Sequence, residues 1–496
     1  MMKKRHALTL TTLLLSLCVC CAQALTVTGL ETELIDRDWA SSQFFARMEA
    51  LTGVAVTAEG VADEAAYAQM LDAMAAGDVQ TDVLFKANLS RERERALLES
   101  GAIIDLAPLI DAHMPNLSAL LASHPQWRAV ITLEDGRIPS LPLLNGHERQ
   151  AMLWINRAWL DKLGLSMPAT LSELTDALLA IRDGDPNGNG KADERGADLI
   201  GVYEMRWLLP YFGIVADDYN LARHAEGGIV FAPELPAYRD FIALLKDWYD
   251  RGVLREDAFT AMHSTDALND RDEDAPPVSG LLFSMAPYTH VDAAHATDYE
   301  PVLLPGPDGR TRWRDLLGPV WTGCFAVTSR CENPAEALAW VDALYGEAGA
   351  LLGYAGVEGE DYAFTEEGYW AFDTSGGRSI QSIRAEVVMY TGAAMPGLYP
   401  AAFIAQVDSP IDRHVLGASE RVRAVSERVT QAYCLSAADQ ARADALGAQL
   451  GALVDTGIAR FATGEVELTD EHYDAWLAEL KAAGSEELTA LFRDAQ

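Results

Sequence analysis

Residues Asp185 to Glu194 read Asp-Pro-Asn-Gly-Asn-Gly-Lys-Ala-Asp-Glu. Oxygen-bearing side chains fall at Asp185, Asn187, Asn189, Asp193 and Glu194. Alternate residues of a tight loop can aim such oxygens at one centre, with Gly190 permitting the turn. A hard cation such as calcium takes roughly six to eight oxygens, carboxylates and main-chain carbonyls among them. The carbonyl of Lys191 would supply the main-chain ligand. The loop departs from an EF-hand, because Gly196 stands where the bidentate Glu is usual, and Glu194 is the nearest substitute. An ion-free Asx/Gly turn is the alternative, but the loop holds more oxygens than a turn needs. The expectation is a structural calcium site of Asp185, Asn187, Asn189, Lys191, Asp193 and Glu194.

A second set of residues suggests sugar chemistry. Trp207, Tyr288, Trp313, Trp321, Tyr362 and Trp370 stand in loops or at strand ends rather than at helix-core spacing. Aromatic rings exposed in a cleft stack on the apolar faces of sugar rings while polar groups satisfy the hydroxyls. Core packing is the alternative for any one of them. Trp248 and Trp340 lie on helix faces and are expected in the core. Catalytic signatures are missing: there is no GxSxG, HExxH, P-loop or GxGxxG in strand–helix context. His290 and His295 lack a third ligand. With 74 acidic residues, spacing alone nominates no glycosidase pair.

The elements that must position these groups alternate. Leu25–Gly29, Val54–Thr57 and Asp82–Phe85 read as short strands, separated by helical spacing over Ser42–Leu51 and Asp63–Ala76. That order argues for an α/β domain with a mainly parallel sheet. Pro115–Ser140 reads as irregular, and Ile138–Leu144 as extended. Thr170 and Glu173 form a capping box before an amphipathic helix. Tyr238–Gly252 is a helix with Gly252 at its end. From about Val415 onward the pattern is mainly helical.

The 496 residues exceed one ordinary core, so two or three domains are expected. The net charge of −36 argues against nucleic acid and against docking on anionic lipid. Met1–Ala24 has the basic, apolar and small-residue regions of a signal peptide, with Leu25 as the mature start. An uncleaved anchor, or lipidation at Cys18, Cys20 or Cys21, stays open, although the lipobox match is poor. The protein is therefore expected to be exported, to the outer face of the membrane or the periplasm. Cys324, Cys331 and Cys434 remain, an odd number that is no disulfide framework; a Cys324–Cys331 bridge stays open beside inert thiols.

Four ordered passages resemble the bacterial extracellular solute-binding proteins of family 1, the sugar-binding components of ABC importers, in their LipO-like and alginate-binding style. They are Glu134–Pro142 followed by Leu153–Asn156, the loop Asp185–Glu194, the stretch from Ala348 to Tyr362, and Phe461–Glu465 with Trp476 and Gly484. The resemblance implies a periplasmic-binding-protein-like α/β fold (type II), two lobes joined by a hinge around a central ligand cleft. It implies a first lobe of 25–147 plus 297–345 and a second of 148–296 plus 346–496. It implies capture of a saccharide, an oligosaccharide by chain length, delivery to ABC permease subunits, a monomer, and no enzymatic activity. A secreted glycosidase or lyase, or a ligand sensor of the same fold, is the alternative. By position it nominates Glu31, Lys86, Asn88, Trp207, Tyr288 and Trp321 as ligand-binding. Arg206 and Arg312 could fork onto an acidic sugar or sit in structural salt bridges, the latter being the stronger reading.

Overall fold

The computed structural model describes residues 24–32, 37–145, 149–223, 227–260, 276–315, 318–390, 393–429 and 435–494. The expected export segment, apart from Ala24, lies outside them, as does Cys434. Among the described residues no helix is long and apolar enough to cross a membrane.

The first strand, Leu25–Leu30, alternates apolar and hydroxyl residues, and its Leu25 and Val27 are buried while Thr26 and Thr28 are half-buried. It pairs in parallel with Val56–Val61 on one side and Val83–Phe85 on the other. The helices between them match the periodic spacing. Gln43–Thr52 ends at Gly53, which takes the left-handed conformation a helix end favours. Glu64–Ala75 starts behind Asp63, whose carboxylate accepts from Ala66 N. Three further strands complete a six-stranded sheet in the order Gly397–Leu398, Leu141–Leu144, Val320–Val327, Val83–Phe85, Leu25–Leu30, Val56–Val61. Val320–Val327 runs antiparallel to both its neighbours.

A second sheet has the order Tyr299–Pro301, Met152–Asn156, Ser279–Ser284, Arg195–Asp198. The helix Leu171–Asp183 packs on it, opened by the expected cap: Glu173 N donates to Thr170 Oγ1 at 3.2 Å, and Ala169 N donates to Glu173 Oε2 at 2.8 Å. The helix Pro236–Asp250 buries Phe241, Leu245 and Trp248, and Trp340 is likewise in the core. Helices Pro410–Arg423, Ala437–Ala462, Asp470–Ala482 and Ser485–Asp494 fill the C-terminal region. Each sheet has its own hydrophobic core, so the molecule is a two-lobe α/β structure.

Three details differ from expectation. Pro115–Ser123 and Pro125–Ile131 are helices, because each proline stands at the first helical position, where its missing N–H costs nothing. Tyr299–Pro301 pairs with Met152–Asn156 and Trp313 lies in the second core, so 299–313 joins the second lobe, not the first. Conversely, Leu352, Tyr354, Met389, Met395 and Tyr399 lie in the first core, and Gly397–Leu398 pairs with Leu141–Leu144. The described segments thus alternate between the sheets: up to 145 with the first, 149–315 with the second, 320 to about 399 with the first, and from about 409 with the second.

Candidate functional site

The parallel strands Leu25–Leu30 and Val83–Phe85 end side by side, and their following residues bring Glu31 and Lys86 together. Both side chains are buried. Glu31 Oε2 accepts from Arg37 Nη1 at 2.8 Å, Trp39 Nε1 at 2.7 Å and Lys86 Nζ at 3.1 Å. Burial pulls the Lys86 ammonium down to about 8, against the opposing pull of Glu31. Lys86 and Asn88 both have positive φ, 53° and 47°, so the loop after the strand is held in an uncommon conformation. Asn88 is exposed. Trp321, at the start of the neighbouring antiparallel strand, is 43% exposed.

The second sheet also has exposed side chains just past its strand ends. Beyond Ser279–Ser284 stand Met285, 37% exposed, and Tyr288; beyond Arg195–Asp198 stands Tyr203, 41% exposed. Between the lobes lies a cavity of about 670 Å³. The first-lobe side gives it Tyr354, Trp370, Phe372, Arg384 and Tyr390; the second gives it Arg149, Tyr288 and Asp412. Arg149 pairs with Asp412 at 2.7 Å and lies over the Tyr288 ring at 5.9 Å. The wall is therefore rich in aromatic rings with a few charged groups, which suits the two faces of a sugar.

The nominated residues divide. Tyr288 lines the cavity, and Trp321 and Asn88 are open to solvent. Glu31 and Lys86 lie one layer behind the surface. Trp207 is a correction: it is 2% exposed, packed against Phe283 and Trp313 with Arg314 over its ring, because the short helix carrying it folds back onto the second core. Trp313 and Tyr362 are buried too, whereas Trp370 is buried yet forms cavity wall. Arg206 meets Asn220 at 2.8 Å and Asp455 at 3.7 Å, and Arg312 grips Asp308, so both are structural pairs. Sequence reasoning missed Tyr354, Arg384 and Tyr390, which line the cavity. They come from a segment that the expected division places in the second lobe and the structure packs with the first.

The loop Asp185–Glu194 is tightly self-bonded. Gly190 N donates to Asp185 Oδ2 at 2.9 Å, Lys191 N to Asn189 Oδ1 at 2.8 Å, and Asn187 N to Glu194 Oε1 at 3.4 Å. Asn189 Nδ2 donates to both oxygens of Asp193 at 3.1 Å. Glu194 is 6% exposed, and its Oε2 has no hydrogen-bond partner. A buried carboxylate oxygen left over in an oxygen-rich loop fits a cation. Among the described residues, however, no three His, Cys, Asp or Glu side chains gather as a metal cage. Cys324 and Cys331 are free and buried, so no bridge joins them, and burial pushes both thiols up.

No family model matches the chain. The fructooligosaccharide ABC transporter substrate-binding protein FusA of Streptococcus pneumoniae is 28% identical over 327 residues, 64% of this chain. The chain spans 60% of that relative's length. An HMO-binding, ABC-transporter-associated solute-binding protein of Bifidobacterium longum infantis superposes with a TM-score of 0.75 at 22% identity, covering 95% of this chain and 98% of the other. The chain is thus similar, over part of its length, to a substrate-binding protein of an ABC transporter, and in fold to a solute-binding protein. An EF-hand mutant of S. pneumoniae FusA in complex with fructo-nystose superposes with a TM-score of 0.68 at 21% identity, covering 95% and 98%. At such identities the structural likeness concerns the fold. In this chain the inter-lobe cavity is the place where groups from both lobes meet.

Proposed function

We propose that the protein captures an oligosaccharide between its lobes, closes on it and delivers it to the permease subunits of an ABC importer. The observation that carries this reading is the cavity of about 670 Å³ walled by aromatic rings from both lobes. The name of the relative FusA supports it. Closure would turn on the three crossing segments, and Tyr288, Trp321 and Asn88 would meet the ligand directly. The signal-like first residues support a place outside the cytoplasmic membrane. A thermal-shift screen of kestose, maltotriose and trigalacturonate checks the proposal. A saturable rise in Tm without product is expected; at a hundredfold excess over Kd the gain is about 2.7 kcal/mol. No shift with any saccharide sinks the assignment, and product formation would replace it with an enzyme.

Calcium belongs to the same reading. Asp185, Asn187, Asn189, Asp193, Glu194 and the carbonyl of Lys191 would hold it, and the unpartnered Glu194 Oε2 is the observation in favour. An ion there would neutralise a carboxylate that is costly to bury alone. The expected outcome is a Tm raised by calcium and lowered by chelator, with both responses lost in Glu194→Gln. A melting curve indifferent to calcium, with no ion found by elemental analysis, overturns this.

A further inference from the structure

The helix Ile380–Val387 ends beside the cavity, and side chains from the start of the chain seize the carbonyls of its last turn. Arg384 O accepts from Arg37 Nη2 at 3.2 Å, Ala385 O from Arg37 Nε at 3.2 Å, and Glu386 O from Ser42 Oγ at 3.1 Å. Arg384 O also accepts from N of the cap residue Val388 at 3.1 Å. Carbonyls at a helix C-terminus carry partial negative charge, so a guanidinium is a strong cap. Arg37 is itself aimed by Glu31, whose carboxylate also holds Trp39 and Lys86. The buried cluster therefore fixes one helix end in place from the ends of two sheet strands.

That helix end carries Arg384, with Val388 and Tyr390 just beyond it, and all three line the cavity. The Arg384 side chain is exposed. Arg149 in the same wall is committed to Asp412; among the described residues Arg384 makes no ion pair. Its planar fork offers several donors where neighbouring rings stack, which is the chemistry that reads paired sugar oxygens.

We propose that Arg384 is a specificity-determining residue of the saccharide cleft, donating to ligand oxygens, and that Glu31 and Arg37 are the positioning residues that hold it there. This rests on the saccharide reading above. It gives the buried Glu31 a role behind the cavity wall, through Arg37 and the helix end.

The test is a double-mutant cycle in the full chain, with kestose, maltotriose and trigalacturonate as probes and Trp fluorescence and calorimetry as readouts. Arg384→Gln is expected to weaken the bound saccharide about tenfold or more, with Tm of the ligand-free protein unchanged. Glu31→Gln is expected to weaken it several-fold, and to add nothing once Arg384 is already Gln. Should Glu31→Gln fail to fold, Ser42→Ala, which removes a single cap bond, takes its place in the cycle. Unchanged affinity in Arg384→Gln overturns the inference while leaving the saccharide reading intact. Additive losses overturn the positioning role. A wild type that binds none of the probes overturns the saccharide reading and the inference with it.

Discussion

Replacing Glu31 by leucine is expected to cost about 3–5 kcal/mol of folding stability, read as a lower urea midpoint. The carboxylate is buried and serves Arg37, Lys86 and Trp39 at 2.7 to 3.2 Å. Its removal leaves two buried cations without the carboxylate they share, and a desolvated charge cannot recover in the interior what water gave it. Arg37 would then lose its aim at Arg384 O and Ala385 O, so the damage reaches the cavity wall. The exposed pair Arg442–Glu487, at 2.6 Å, is the control; Glu487→Gln should leave the midpoint near wild type. Lys86 adds a pH signature. Burial lowers its ammonium from 10.5 to about 8, so between these values the folded protein binds fewer protons than the unfolded chain. This group's contribution therefore grows more favourable as pH rises from about 8 to 10.5, and is least favourable below 8. Wild type is expected to gain on Lys86→Met across that window; a constant difference would contradict it.

Gly323→Ala is the second large effect, expected to cost more than about 3 kcal/mol and to weaken saccharide binding together with stability. Gly323 has φ +76°, and a Cβ there would stand 2.1 Å from the carbonyl oxygen of Leu89. That neighbour is backbone and cannot swing aside, because Leu89 N already donates to Gly323 O at 3.0 Å. Ala87 N likewise donates to Cys324 O at 2.9 Å, so the Lys86–Leu89 loop is sewn onto this strand. Pairing between Val320–Val327 and Leu141–Leu144 shifts register between Trp321 and Phe325, which is where Gly323 lies. The added methyl would displace the segments that carry Asn88 and Trp321, two exposed groups of the first lobe. A thermal melt with and without saccharide checks this, and a variant that melts and binds like wild type refutes it.

These two residues show what reading the chain could and could not reach. The resemblance nominates Glu31 for ligand binding from its place after a strand, and the structure buries it among Arg37, Trp39 and Lys86. Its role as an internal clamp depends on Arg37 and on helix Ile380–Val387, more than 340 residues away. Gly323 sits in an apolar strand, where nothing local marks the close approach of another backbone. Trp207 stands in a stretch without helix-core spacing, yet the short helix around it turns the ring into the core.

Sequence by itself determined the α/β alternation, the capped helix at Thr170, the core positions of Trp248 and Trp340, and the oxygen-rich loop Asp185–Glu194. All of these are local, set by side-chain period, capping chemistry and turn residues within a dozen positions. Only the tertiary structure decided which sheet each late segment joins, and hence that 346–390 and 393–398 lie with the first lobe and 299–313 with the second. Strand pairing is a contact between distant residues, and Tyr299–Pro301 or Gly397–Leu398 has the same local pattern whichever partner it takes. The cavity inherits that dependence, since Arg384, Tyr390 and Tyr288 become neighbours only once the crossings are drawn.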